Sequence, residues 1–189
     1  YKRQGIHRDV FELDFASLFP SIIATRNISP ETMKCECCKP ITSGHSNDSK
    51  FPLDPKEAEH LARNRALSND NMGLMVPEIG TYSCALKYGF LPRVVAPIIS
   101  RRHELKSRMK RKGDEWDKRQ NVLKWLLVTC FGYTGYRNAR FGRIECHEAI
   151  CAWSRDILLD AKDLAEKDGW RCIHAIVDSI WLVDSEGRT

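Results

Sequence analysis

Apolar and polar positions first interleave at the start of the chain, where Val10, Leu13 and Phe15 stand among Asp9, Glu12 and Asp14. That run predicts a short β-strand. Pro20 limits how far it extends, because proline cannot donate to a sheet ladder. Asp14 is thus delivered where a strand ends and the backbone turns. Residues 55–67 predict a short helix with Pro55 near its start and Ala58, Leu61 and Ala62 on one side, broken by Asn69 to Asn71. From Pro92 to Lys112 the period is helical, with Val94, Val95, Ile98, Ile99, Leu105 and Met109 on one broad face. A Gly113-Asp114 turn leads to a second helix over 115–131, carrying Trp116, Val122, Leu123, Leu126 and Leu127. Consecutive helices joined so briefly pack as an antiparallel hairpin. Residues 132–143, rich in Gly, Tyr and Arg, predict a bend and a strand. A third long helix follows over 145–167, with Ile150, Trp153, Ile157, Leu158, Ala161 and Leu164 at helical spacing, and Asp168-Gly169 stops it. The β-rich runs 171–177 and 179–183 then flank Asp178, which predicts a strand hairpin with a carboxylate at its tip. This order implies an α+β fold, an antiparallel sheet with helices and an inserted two-helix hairpin.

Charge changes the picture at one place. The chain has 189 residues and a net charge of +5, but residues 101–124 alone hold ten Lys or Arg against four Asp or Glu. A stripe of that density suits a solvated helix face, and it also suits a polyphosphate or nucleic-acid partner. No run approaches membrane-span length and no leader opens the chain, so a cytoplasmic setting is expected. The chain does not begin with methionine and reads as a piece of a longer protein.

Two aspartates at strand turns, far apart in sequence, are the minimum for clamping two divalent cations. Hard oxygen ligands favour Mg²⁺ or Mn²⁺, and such a site suits phosphoryl transfer. On the first long helix Arg102 and Lys106 are four residues apart and project from one face. On the second, Lys124, Val128 and Phe131 share a face. Three cations opposite two metal-bearing carboxylates would hold a triphosphate.

Of the eight cysteines, Cys130, Cys146, Cys151 and Cys172 lie in apolar or helical contexts and read as small buried hydrophobes. Cys35, Cys37 and Cys38 form a tight group inside a polar insert at about 34–54. With Cys84 they admit three readings: free thiols, a disulfide to Cys84, or a zinc site that adds His45. The crowded spacing lacks the regular Cys-x-x-Cys pairs of zinc sites and counts against zinc. His7, His60, His103 and His147 sit among polar neighbours and read as surface residues.

Asp14-Phe15-Ala16-Ser17-Leu18-Phe19-Pro20-Ser21-Ile22-Ile23 resembles the first polymerase motif of family B DNA polymerases, Asp-x-x-Ser-Leu-Tyr-Pro-Ser-Ile-Ile. Phe90-Leu91-Pro92 through Lys110 resembles the fingers helix of that family. Lys124 through Gly132 is similar to its second motif, Lys-x-x-x-Asn-Ser-x-Tyr-Gly. His174-Ala175-Ile176-Val177-Asp178-Ser179 is similar to its third, Tyr-x-Asp-Thr-Asp-Ser. Residues 145–157 resemble the palm helix between them. The likeness covers nearly the whole chain and falls within a divergent archaeal paralogue group with degenerate motifs.

The resemblance implies a palm made of residues 1–89 and 132–189, with fingers over about 90–131. It implies a DNA-templated, Mg²⁺-dependent DNA polymerase acting on a primer-template and deoxynucleoside triphosphates, with room for accessory replication subunits. Asp14, Asp178 and the Phe15 carbonyl would hold the metals. The Ser17 and Leu18 amides would meet the nucleotide phosphates, and Phe19 would exclude a 2′-hydroxyl. Arg102, Lys106 and Lys124 would bind the triphosphate. A disulfide to Cys84 would match a staple found in some archaeal relatives. Two departures weigh on this: Ile176 replaces the first aspartate of the third motif, and Val128 replaces the asparagine of the second. They motivate the alternative of a catalytically inactive, polymerase-derived DNA-binding or scaffold protein. A bare nuclease is disfavoured, having no use for a triphosphate clamp.

Overall fold

In a computed structural model of the chain, residues 2–39, 50–68, 72–112 and 114–184 are described. In order they form β1 (Val10–Asp14), α1 (Leu18–Thr25), α2 (Pro55–Leu67), β2 (Leu74–Met75), β3 (Tyr82–Ser83), α3 (Phe90–Lys112), α4 (Asp114–Thr134), α5 (Ile144–Lys167), β4 (Trp170–Ile176) and β5 (Ser179–Asp184). His45, the Asn69–Asn71 break and the Gly113 turn lie outside the described residues. The chain divides into two units, residues 1–18 with 153–189, and residues 19–152. Among the described residues no helix is long and apolar enough to cross a membrane.

The first unit is built on an antiparallel sheet of order β1-β5-β4. Strand alternation turns Cys172, Ile180 and Leu182 inward, where Leu158, Ala161 and Ala165 of α5 pack on them. β4 and β5 are joined by a two-residue link, Val177-Asp178, and a register shift between Cys172 and His174 marks a bulge in β4. Val177 takes a left-handed φ of 56°, which a hairpin turn needs and a β-branched residue resists. Ser154 Oγ donates to its carbonyl at 3.2 Å.

In the second unit α1 buries Ile22, Ile23 and Ala24. Asn27 ends it at φ 53°, and the Ile28 amide reaches back to the Ile23 carbonyl at 3.0 Å, as in a left-handed helix cap. The next few residues then supply what the start of α3 lacks. Helix N-termini carry amides with no intrahelical acceptor. Here the Gly89 amide donates to Asn27 Oδ1 (2.8 Å), the Phe90 amide to Glu31 Oε1 (2.5 Å) and the Leu91 amide to Ser29 Oγ (3.2 Å). Burial pushes the Glu31 carboxyl up, but hydrogen bonds from Ser29 and the Phe90 amide, with the Arg93 charge, outweigh it and hold the pKa below 4.5. A carboxyl depressed in the folded state contributes stability above its unfolded pKa and loses it as pH falls through the folded value. Glu31→Gln is therefore expected to lower stability above pH 4.5 and to change it little once the carboxyl is protonated in both states, flattening the acid limb between, which denaturant titrations across pH would show.

α2 starts where Asp54 accepts from the Lys56 amide at 2.8 Å, and it buries Ala58 and Ala62. α3 and α4 pack along one another. Arg102 Nε meets Gln120 Oε1 at 3.2 Å and Arg108 lies 5.5 Å from the Trp116 ring centre, pairings that converge on the link and so define an antiparallel hairpin. The strand expected within 132–143 does not form among the described residues. α4 instead continues to Thr134, whose hydroxyl bonds back to the Phe131 carbonyl (2.7 Å). The chain beyond it closes tight turns, Ala139 amide to Tyr136 carbonyl (3.0 Å) and Gly142 amide to Ala139 carbonyl (2.9 Å). Its backbone groups are satisfied locally and no ladder partner is needed.

Candidate active site

Asp14 is the last residue of β1 and stands opposite Ser179, the first residue of β5. Asp178 immediately precedes that residue at the hairpin tip. Two bonds lock this corner: the Phe15 amide donates to the Asp178 carbonyl at 2.8 Å, and Ser179 Oγ donates to Asp14 Oδ1 at 3.1 Å. Two carboxylates separated by most of the chain are thereby brought to one end of one sheet. Ile176, at the end of β4, is 52% exposed there. Phe15 turns its ring to an apolar groove with Phe11, Leu13 and Trp170.

Ser17 adopts φ 58° just before α1, and Leu18 begins the helix. In the second unit Phe19 stacks on Phe131 (ring centres 4.3 Å apart), and Phe131 stacks on His147 (4.7 Å). His147 is thus no free surface residue; it is half-buried in an aromatic stack, with Nδ1 3.4 Å from the Thr134 hydroxyl. His7 is also half-buried, whereas His60 and His103 are exposed.

Arg102 is 7% exposed, unlike a simple solvated cation. Its Nε is held by Gln120, whose own amide donates to Asp117 Oδ1 at 2.8 Å. The guanidinium is therefore oriented from α4 before any ligand arrives. Gln120 was not legible as a site residue, since its partner lies 18 positions away on another helix. Lys106 follows one turn later and is half-buried, and Lys124 is exposed on α4 with Val128, itself 49% exposed.

The four cysteines of the insert region converge. The sulfurs of Cys35, Cys37, Cys38 and Cys84 all lie within 4.8 Å of one another. Cys84 Sγ is 3.5 Å from Cys37 Sγ and 3.8 Å from Cys38 Sγ, and all four cysteines are unbonded. Burial pushes the Cys35 thiol up to about 11 and raises that of Cys84 as well.

Residues 2–182 match the profile of DNA polymerase family B. DNA polymerase 2 of Saccharolobus solfataricus is 32% identical over 95% of this chain and 22% of its own length. The DNA polymerase of Thermococcus sp. strain 9oN-7 is 29% identical over 94% of the chain and 20% of its own. The solved family B DNA polymerase of the hyperthermophilic archaeon Pyrobaculum calidifontis superposes with a TM-score of 0.66 at 26% identity, covering 96% of this chain and 21% of that one. The chain spans about a fifth of the length of these relatives. With a match over residues 2–182, it belongs to DNA polymerase family B.

Proposed function

We propose that the chain carries the nucleotidyl-transfer site of a DNA-templated DNA polymerase, with residues 1–89 and 132–189 as palm and about 90–131 as fingers. The observation that supports this most is the corner where β1 meets the β4–β5 hairpin, with Asp14 and Asp178 at one end of the sheet. The donor set there, two carboxylates with the Phe15 carbonyl beside them, consists of hard oxygens and fits Mg²⁺ or Mn²⁺. Bound there, the ions would neutralise charge on the phosphoryl oxygens. Arg102, pre-oriented by Gln120, grips the triphosphate of an incoming deoxynucleotide in two-pronged fashion, with Lys106 and Lys124 as point charges. The Ser17 and Leu18 amides meet phosphate oxygens, and Phe19 sets sugar selectivity by ring bulk. A primer-template is the second substrate.

A second reading, a DNA-binding scaffold without catalysis, is favoured by Ile176 and Val128, both exposed where the family places polar side chains. The two are separated by restoring the carboxylate. Ile176→Asp in the full-length protein is expected to raise single-nucleotide incorporation roughly tenfold, the effect of about 1.4 kcal/mol of added metal or transition-state stabilisation. No incorporation by either form, with Mg²⁺ or Mn²⁺, would decide for the scaffold.

A further inference from the structure

The geometry points to a structural zinc site made by Cys35, Cys37, Cys38 and Cys84, separate from the nucleotidyl-transfer site. A zinc ion sits about 2.3 Å from each of four thiolates, so a tetrahedron of ligands has sulfurs about 3.8 Å apart. The Cys84 to Cys37 and Cys84 to Cys38 separations of 3.5 and 3.8 Å lie close to that edge length, and all four sulfurs fall within 4.8 Å of one another. They are too short for sulfurs that surround a multi-iron cluster, whose irons would have to fit between them. Four soft donors with no carboxylate or imidazole among them select zinc over magnesium or calcium.

The surroundings are built for such a centre. Tyr82 Oη donates to the Cys35 carbonyl (2.8 Å) and the Cys38 carbonyl (3.2 Å), fixing the loop that carries three of the sulfurs. The Lys34 amide donates to the Tyr82 carbonyl at 3.0 Å. The Lys87 amide points at Cys84 Sγ from 3.3 Å, the kind of backbone donor that steadies a metal-bound thiolate. Binding releases four thiol protons and leaves a centre of net charge −2, and the opening beside it is lined by Lys34, Lys87 and Arg143 together with Glu31 and Glu36. Cys38 and Cys84 belong to the same buried cluster as Phe51, Ala58 and Leu74, so the ion would tie the insert to the segment that enters α3.

The test is the metal content of the full-length protein, purified under reducing conditions without chelator and measured by mass spectrometry of the elements. One zinc per chain is expected, released by a thiol-reactive mercurial, and cobalt(II) in its place should show the visible absorption of a tetrahedral tetrathiolate. Cys84→Ser removes a fully buried ligand and carries a risk of misfolding, so Cys37→Ser, at a half-buried position, is measured beside it. Zinc in Cys37→Ser should fall to less than about a tenth of the parent value at equal chelator challenge. Wild-type protein that holds no zinc and cannot be loaded, with four thiols open to alkylation in the native state, would overturn the assignment. So would a protein mass lowered by two hydrogens with a Cys84-linked peptide, which means a disulfide, or an iron–sulfur chromophore.

Discussion

Alanine at Asp14 or at Asp178 should cost the full-length protein about a thousandfold in single-nucleotide incorporation, and at Asp14 with little change in stability. On the proposed two-metal reading each carboxylate would supply a formal negative charge to hold the ions, and losing several kcal/mol of transition-state charge stabilisation is worth about three powers of ten. The stability arm follows from exposure. Asp14 is open to solvent, and its one described hydrogen bond comes from Ser179 Oγ at 3.1 Å. The corner itself is held by the Phe15 amide and the Asp178 carbonyl, which no side-chain substitution removes. Rapid-quench incorporation and a melting curve on the same preparations separate the two effects. Loss of activity below tenfold in both variants would count against Asp14 and Asp178 as the metal-holding pair.

Asn27→Ala should be strongly destabilising, at about 4 kcal/mol, because it strands several buried groups at once. Asn27 is fully buried. Its amide donates to the Cys84 carbonyl (2.6 Å) and the Lys87 carbonyl (2.7 Å), and its oxygen accepts the Gly89 amide (2.8 Å). Truncation leaves these groups buried and unpaired, and alanine also tolerates the left-handed φ of 53° less well than asparagine. Asn27→Gly divides the two contributions, since glycine accepts the backbone angle but not the hydrogen bonds. Denaturant midpoints should therefore rank wild type above Asn27→Gly, and Asn27→Gly at or above Asn27→Ala. A loss in Asn27→Ala near 1 kcal/mol, the ordinary effect of a substitution, would count against this account.

What could be read from the chain followed the strength of its periodic signals. The α3–α4 hairpin and α5 were legible because twenty or so residues repeat one apolar face. The β4–β5 hairpin was legible because two β-rich runs flank a single short turn. Strands β2 and β3 have two residues each, too few for any alternation to register. The strand expected within 132–143 rested on composition alone, and local turns took those backbone groups first. Residue identity foretold which side chains are catalytic candidates but not how they are held. Arg102 reads as a triphosphate ligand with no sign that Gln120 orients it, and His147 as a surface residue until Phe131 stacks on it. The cysteine quartet was legible as a group, but its crowded spacing, unlike that of familiar zinc loops, did not choose between free thiols, a disulfide and zinc until the four sulfurs were seen within 4.8 Å of one another.

The sheet of the first unit also has colloidal consequences. Among the described residues β1 pairs on one side only, with β5, and all five of its side chains are exposed, Phe11 and Leu13 more than half. An open strand edge with apolar side chains is a template for pairing with another copy of itself. Asp9, Glu12 and Asp14 place negative charge along that edge, and two like-charged edges repel on approach. Asp14, a proposed metal ligand, therefore also serves with Asp9 and Glu12 as a guard against one such edge adding its strand to the next.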